Sequence, residues 1–313
     1  MNQQTTQTLV KRRLASKSIA ILQDWDLYLL AIPGVLYFVI FKYLPMWGVL
    51  LSFEDYSPFL GFWESPWVGF KHFITLFTYE HFWELLRNTL LISFYQLLFF
   101  FPVPIILALL LNEVRYLVFK KLVQSVIYLP HFISWVVIAS MTYVLLSGGG
   151  VVNHLIQASG GHTINFLSAP EMFRILIVSQ DIWKEAGWGT IIYLAALSSV
   201  DPMLYEAAVV DGANRWQQMW HITLPSIRST IIILLLLRLG HVLDVGFEQI
   251  FLMLNTLVQN VGDVFETFVY TKGLVGGQFS FASAVGLFKS VISLIIVAGA
   301  NWLTKKSGEE GIY

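Results

Sequence analysis

Eight charged side chains lie well inside long apolar runs, away from their ends, where they could form ion pairs or bind a polar ligand. The cations are Lys42, Lys184, Arg238 and Lys289, and the anions are Asp181, Glu185, Asp244 and Glu248. A charge near the centre of a membrane helix costs at least about 2.5 kcal/mol, so each side chain should face protein or water. Because the two signs balance, ion pairs that fix helix packing are the simpler expectation, and a polar path for a ligand is the alternative.

The fourth and fifth of these runs each place four polar or aromatic side chains on one helical face. The candidates for a substrate path are Asp181, Lys184, Glu185 and Trp188 on the fourth run, and Arg238, His241, Asp244 and Glu248 on the fifth. Each set spans roughly 100 to 120° of arc. An aromatic ring can stack on the apolar side of a sugar, while charged groups hydrogen-bond its hydroxyls. The small Gly187 and Gly189 would leave space for such a path.

Several kinds of chemistry lack the residues they need. The chain has no cysteine, which excludes a disulfide, a thiolate nucleophile and a cysteine-based zinc site. The P-loop spacing G-x4-G-K-[ST] and the metal-binding pattern H-E-x-x-H are also missing. The paired carboxylates have no associated nucleophile. We therefore expect no catalytic residue, no metal site and no ATP hydrolysis by a P-loop in this chain.

Six apolar runs are long enough to cross a bilayer. Of 313 residues, 56% are hydrophobic and 12% are charged, against about a quarter charged in a soluble domain. A hydrocarbon core about 30 Å thick needs about 20 apolar residues per helix. The runs cover residues 27–51, 88–111, 122–146, 172–197, 230–254 and 281–303. None alternates like a barrel strand, so the prediction is an all-α integral membrane protein with six transmembrane helices.

The basic residues predict the orientation, because cytoplasmic loops carry an excess of Lys and Arg. With a cytoplasmic N-terminus, the inner residues are Lys11, Arg12, Arg13, Lys17, Arg115, Lys120, Lys121, Arg215, Arg228, Lys305 and Lys306, and the outer ones are Lys71, Arg87, Arg174 and Lys272. Both termini are therefore predicted to be cytoplasmic, and the first run to be an uncleaved anchor. The predicted organisation is a cytoplasmic segment 1–24, a transmembrane domain 25–306 with its core at 88–303, and a cytoplasmic tail 307–313.

A polar segment between the fourth and fifth runs, within residues 198–229, has its own pattern. Asp201 is a predicted N-cap, and Gly212 suits the left-handed turn that ends a helix. Asn214 then begins a second helix, which Pro225 breaks before the fifth run. The segment is therefore predicted to form two short helices on the cytoplasmic side.

Seven positions of this segment match the spacing EAA-x3-G-x9-I-x-L-P, the signature of permease subunits in binding-protein-dependent ABC importers. They are Glu206, Ala207, Ala208, Gly212, Ile222, Leu224 and Pro225. The chain resembles a transmembrane subunit of a bacterial carbohydrate ABC importer over nearly its whole length. The stretches WKEAGW at 183–188, VGFEQ at 245–249 and AVGLF at 284–288 resemble the branch for polysaccharides and complex oligosaccharides.

The resemblance implies a type I importer permease in the bacterial cytoplasmic (inner) membrane. Its implied partners are a second, homologous permease in a heterodimer, two ATP-binding-cassette ATPase subunits that bind ATP and Mg, and an external solute-binding protein that delivers a carbohydrate. The chain itself would hold no cofactor. The ATPase-coupling residues implied by the resemblance are Glu206, Ala207, Ala208, Asp211, Gly212, Ile222, Leu224 and Pro225. The helix at their start would dock in a groove of the ATPase.

Other functions remain open at this point. A membrane-embedded carbohydrate enzyme would use Asp181 or Asp244 as a base, and a secondary transporter would relay protons through buried acids. Within the importer interpretation, alginate or another uronate-containing oligosaccharide is a specific hypothesis. It is based on the resemblance and on the cations within the apolar runs as possible carboxylate partners, which are Lys42, Lys184, Arg238 and Lys289.

Overall fold

The computed structural model describes residues 25–308 and Gly311. In these residues the regular structure is helical, with one isolated bridge between Glu54 and Trp67 and no named strand. The all-α prediction is therefore confirmed. The predicted segment 1–24, with its four basic residues, and residues 309, 310, 312 and 313 of the predicted tail lie outside the described residues.

The helices are numbered here in chain order. They are α1 (Trp25–Phe38), α2 (Gly61–Glu64), α3 (Lys71–Thr78), α4 (Phe82–Tyr95), α5 (Pro102–Glu113), α6 (Leu117–Tyr128), α7 (Trp135–Leu146), α8 (Val151–Ala158), α9 (Pro170–Ser198), α10 (Pro202–Val210), α11 (Arg215–Gln218), α12 (Leu224–Ser226), α13 (Arg228–Gly240), α14 (Phe247–Met253), α15 (Gln259–Gly262), α16 (Phe265–Phe268) and α17 (Phe279–Lys306). Wider π-helical turns lie at Val39–Tyr43, Gln96–Phe100, Met219–Thr223 and Val269–Val275, and tighter 3-10 turns at Leu44–Phe53 and Leu129–Phe132.

Four helical stretches in the described part of the chain are long and apolar enough to cross a membrane. They are Leu27–Phe53, Phe82–Glu113, Trp135–Ala158 and Phe279–Lys306, and the bent pair Arg215–Ser226 and Arg228–Gly240 makes a fifth if it counts as one span. Helix α9 has 29 residues, enough for about 43 Å. It differs from those four stretches because it carries more charged side chains. The exact count of six spans is thus not reproduced by length and apolarity alone.

Two of the predicted runs are not single helices. The third run, 122–146, breaks between α6 and α7, where Pro130 cannot donate a backbone hydrogen bond. The fifth run, 230–254, breaks between α13 and α14, and Gly246, directly before α14, has a φ of 98°, a left-handed conformation that interrupts the helical path. Both predictions of an unbroken helix are wrong, and contacts with distant residues stabilise both breaks.

Helix α9 lies at the centre of the fold, in contact with α4, α5, α6, α13 and α15. Two of its glycines allow this close packing. A β-carbon on Gly187 would lie 1.9 Å from the carbonyl oxygen of Ile127, and one on Gly189 would lie 3.1 Å from Pro104. The prediction that these glycines leave space for a path is wrong, because the backbone of α6 and the side chain of Pro104 occupy that space.

The two ends of the helices can be told apart by their contacts. At the Glu113 end, the Arg215 guanidinium lies 2.5 Å from the Glu113 carboxylate. At the opposite end of the stretch Phe82–Glu113, which we call the Asn88 end, the Asn88 amide donates to the carbonyls of Asn260 and Asp263. The polar segment before α13 therefore lies at the Glu113 end of the molecule.

Candidate functional site: a docking helix and the charged groups of the membrane helices

The signature segment, residues 201–226, forms the two predicted helical stretches, α10 and Arg215–Ser226, but the chain bends by 57° only after Ser226, and Pro225 itself lies within α12. The Asp201 carboxylate accepts a hydrogen bond from the Met203 backbone at 2.9 Å and caps α10. Gly212 follows with a φ of 79°. Asn214 and Gln217 then form a capping box at the start of α11, with hydrogen bonds of 2.8 and 3.0 Å. These predictions are confirmed, and the helices begin where local capping satisfies their free N–H groups.

Helix α10 is exposed, although many of its side chains are apolar. None of its residues is buried, and the exposed fraction reaches 63% at Val209 and 86% at Val210. Among the signature residues at this helix, Glu206, Ala207, Asp211 and Gly212 are exposed and Ala208 is half-buried. An apolar helix surface with small alanines at its centre is suited to docking in a groove of another protein.

The rest of the segment is fixed to the membrane helices. The Tyr205 hydroxyl is 3.0 Å from the hydroxyl of the buried Thr223, and Arg215 pairs with Glu113. Ile222 and Leu224 are half-buried, whereas Pro225 is exposed in α12. Buried Ile227, directly before α13, packs with Ala108, Tyr193 and Leu197 of α5 and α9. Through Thr223, Arg215 and Ile227, the segment that carries α10 is thus connected to α5, α9 and α13.

Charged residues of α9 contact the backbone at the break in the third run and stabilise it. The Lys184 ammonium donates to the carbonyl oxygens of His131 and Ile133 at 2.5 and 2.8 Å and lies 3.4 Å from Glu185. Glu185 also contacts His131 at 2.7 Å, and Trp188 stacks on the His131 ring at 4.4 Å. The expected ion pairing is thus present, and His131 is a member that sequence reasoning missed. Pro130 beside it signals the helix break, but not the contact with Glu185.

Polar groups of α4 and the following turn hold the break in the fifth run. Ser93 donates to the Val242 carbonyl, and the Gln96 amide donates to the Val245 carbonyl at 3.2 Å. Arg238 donates to Gln96 at 2.9 Å and lies 3.8 Å from buried Asp181. A buried polar group costs free energy unless it is hydrogen-bonded, so these contacts stabilise the broken helix.

A second charged cluster lines an open groove of about 790 Å³ between α13, α14, α17 and the turn Val269–Val275. Lys289 lies 2.7 Å from Asp244 and 3.3 Å from Glu266, and His241 lies 3.3 Å from Asp244. The Phe247 and Tyr270 rings, 5.1 Å apart, form an aromatic part of the wall. Glu266 lies outside the apolar runs, so sequence reasoning gave it no role.

The eight path candidates do not form one surface. The single helical face predicted for the fifth run is wrong, because α13 ends at Gly240. Arg238 consequently contacts Gln96 and Asp181, while His241 and Asp244 line the groove. Glu248 is exposed and is not among the groove residues. Lys42 is exposed on the first helical stretch. In the described part of the chain, no group of three or more His, Asp or Glu residues could hold a metal ion.

Comparison with known proteins identifies the family. Residues 85–308 match the model described as "Binding-protein-dependent transport system inner membrane component". Protein LplB of Bacillus subtilis (strain 168) is 56% identical over 295 residues, which cover 94% of this chain and 93% of that protein. The polygalacturonan/rhamnogalacturonan transport system permease protein YteP of the same strain is 56% identical over 296 residues, 94% of this chain and 92% of that protein.

A solved structure shares the fold. It is the crystal structure of a bacterial alginate ABC transporter in complex with an alginate pentasaccharide-bound periplasmic protein, and the matching chain has a TM-score of 0.86. The two chains are 44% identical, and the match covers 94% of this chain and 98% of that one. Signature segment, fold and relatives agree that this is a transport subunit with the type I ABC permease fold, not an enzyme. The chain belongs to the family of inner membrane components of binding-protein-dependent transport systems.

Proposed function

We propose that the chain forms one wall of the path by which an ATP-driven importer takes up an oligosaccharide or polysaccharide. The observation that carries this proposal is the exposed apolar surface of α10. Its apolar side chains are exposed around the signature positions, while its own Tyr205 contacts buried Thr223 and the following Arg215 pairs with Glu113 of α5. An uncovered apolar surface on a fixed element suits a partner that drives movement.

The partner at α10 is one of two ATP-binding-cassette subunits, which bind ATP and Mg. Closure of these subunits would pull on α10, and the contacts with α5, α9 and α13 would turn that pull into a rotation of membrane helices. A second, homologous permease completes the path, and both termini are cytoplasmic, on the same side as α10. The external binding protein delivers the carbohydrate at the Asn88 end.

The substrate contacts that we propose lie in the groove between α13 and α17. Aromatic rings of Phe247 and Tyr270 can stack on sugar rings, and His241 and Asp244 can hydrogen-bond hydroxyl groups. The names of YteP and of the alginate transporter support a carbohydrate as the substrate class. Among the α9 candidates, Trp188 is 45% exposed and is available for stacking, whereas Lys184 is engaged in packing.

Single cysteines can test the docking of α10, because the natural chain has none. Val210→Cys in the purified importer should cross-link to an ATPase subunit through a short bifunctional maleimide. Leu257→Cys is the matched control, since Leu257 is also exposed, at 64%, but lies in the connection before α15. Equal cross-linking of both variants, or none from Val210→Cys in an assembled and active complex, would contradict the proposal.

A further inference from the structure

Two arginines meet at one buried asparagine at the Asn88 end of the molecule. Arg174 of α9 donates to the Asn88 side-chain oxygen at 2.9 Å, and Arg87 of α4 approaches the same oxygen at 3.4 Å. Arg87 also donates to the Asn260 carbonyl at 3.0 Å. Asn88 is fully buried and its amide is anchored to two carbonyl oxygens. The asparagine therefore holds two positive groups close together.

Among the described residues, this arginine pair lacks the acidic partner that Lys184, Arg238 and Lys289 have. Lys289 contacts two carboxylates, Lys184 contacts Glu185 and two carbonyls, and Arg238 lies near Asp181. Neither Arg87 nor Arg174 takes part in an ion pair among the described residues. The Nε atom of Arg174 is also buried without a hydrogen-bond partner. Two adjacent guanidinium groups without a counter-charge form a site for an anion.

A cavity of about 560 Å³ adjoins Arg174, the half-buried member of the pair, and sets the size and character of a ligand. It is lined by Arg174 and by the aromatic rings of Tyr95 and Phe99, whose centroids are 6.2 Å apart. Ser179 adds a hydroxyl to the lining, and Glu171, which is exposed at the start of α9, adds one carboxylate to the rim but forms no ion pair with Arg174 among the described residues. A carboxylate beside aromatic rings matches a sugar acid, whose ring can stack while its carboxylate pairs with arginine.

We propose that Arg87 and Arg174 bind the carboxylate of an acidic oligosaccharide, a uronate-containing chain, as it enters the path at the Asn88 end. This proposal rests on the proposed function and specifies its substrate class. It assigns acid recognition to two residues outside the groove. The cations within the apolar runs that could bind a uronate are either already paired, as are Lys184, Arg238 and Lys289, or remote and exposed, as is Lys42.

The test measures binding of tetragalacturonate to the purified importer without its binding protein. The fully methyl-esterified tetragalacturonate serves as a neutral ligand with the same backbone. In the double variant Arg87→Gln, Arg174→Gln, affinity for the acid form should fall about tenfold or more, and affinity for the ester should not change.

Lys272→Gln is the control, because it removes one exposed positive charge of the predicted outer side and should leave both affinities unchanged. Arg174→Lys should give an intermediate loss for the acid form, since lysine lacks the planar fork.

Any one of the following results would overturn this inference. The wild-type importer could bind acid and ester equally, or not bind the acid at all. The double variant could keep its affinity for the acid. In the double variant, the affinities for acid and ester could fall together, which would indicate a packing role. The double variant could also lose co-purified anionic phospholipid while its sugar affinity is kept, which would indicate a lipid role. ATP-driven uptake of oligosaccharide by wild-type proteoliposomes with the binding protein tests the proposed function separately from the arginine site. Absence of uptake contradicts the proposed function, whereas uptake together with any of the results above contradicts only the arginine site.

Discussion

The signature segment and the centre of the membrane domain form their structure by different means. In the segment, Asp201, Gly212 and Asn214 act on residues within three positions along the chain. In the centre, Lys184 binds carbonyl groups more than 50 residues away, and Gln96 binds one 149 residues away. Local capping needs no other helix, whereas the broken helices exist only because distant side chains satisfy their backbone groups.

The two regions also differ in how far their side chains are exposed. Helix α10 keeps its apolar side chains exposed, so substitutions there should disturb function more than folding. Lys184 and Gly187 are buried against another helix, so substitutions there should disturb folding first. The following predictions test this contrast through the free energy of unfolding of the chain.

Lys184→Met should have the largest effect, a loss of about 3 kcal/mol in the free energy of unfolding. Methionine has a similar length but leaves the carbonyl oxygens of His131 and Ile133 without a donor. The loss can be measured by unfolding in mixed detergent micelles followed by circular dichroism. Lys42→Met is the control, because Lys42 is exposed and should change stability by less than about 0.5 kcal/mol. Equal losses in the two variants would show that Lys184 has no structural role.

Gly187→Ala should destabilise the chain by about 2 kcal/mol, because the new methyl group collides with the Ile127 carbonyl and forces α6 away from α9. Gly286→Ala in α17 has open space around the added atom and should be neutral or slightly stabilising. The same unfolding experiment compares the two. A stable Gly187→Ala variant would mean that α6 and α9 are further apart than the structure places them.

Gly212→Asp should cost only about 1 kcal/mol of stability, the strain of a side chain at a φ of 79°. Its main effect is expected on coupling, with assembly retained but ATP-driven uptake reduced. Uptake and ATPase activity are measured on the same proteoliposomes. Undiminished uptake in a fully assembled complex would argue against α10 and its turn as the joint.

Asn214→Ala should have the smallest effect, about 1 kcal/mol or less from loss of the cap on α11. The segment is exposed there, so water can replace the lost hydrogen bond. Asn214→Ser keeps a capping oxygen and should restore stability. If the alanine variant lost as much stability as Lys184→Met, the distinction between local and tertiary control would not hold.

Sequence reasoning found the membrane class, the signature segment and its caps because each depends on neighbouring residues. It also found the buried charges and their expected pairing, but not all the partners. His131 and Glu266 were missed, since nothing in the sequence places His131 opposite Glu185 or Glu266 opposite Lys289. The proposed coupling and path roles of the candidate residues remain predictions that the experiments above address.

The sequence by itself determined that the chain enters a bilayer, which family it resembles, and where the helices of the signature segment begin. Composition and capping decide these features over short distances. Only the tertiary structure decided where the third and fifth runs break, which charges pair, and that Arg87 and Arg174 have no ion-pair partner within the part of the chain that the structure describes. The physical reason is that a buried charge or carbonyl must be satisfied by whichever group is nearest in space, and the sequence alone does not specify that neighbour.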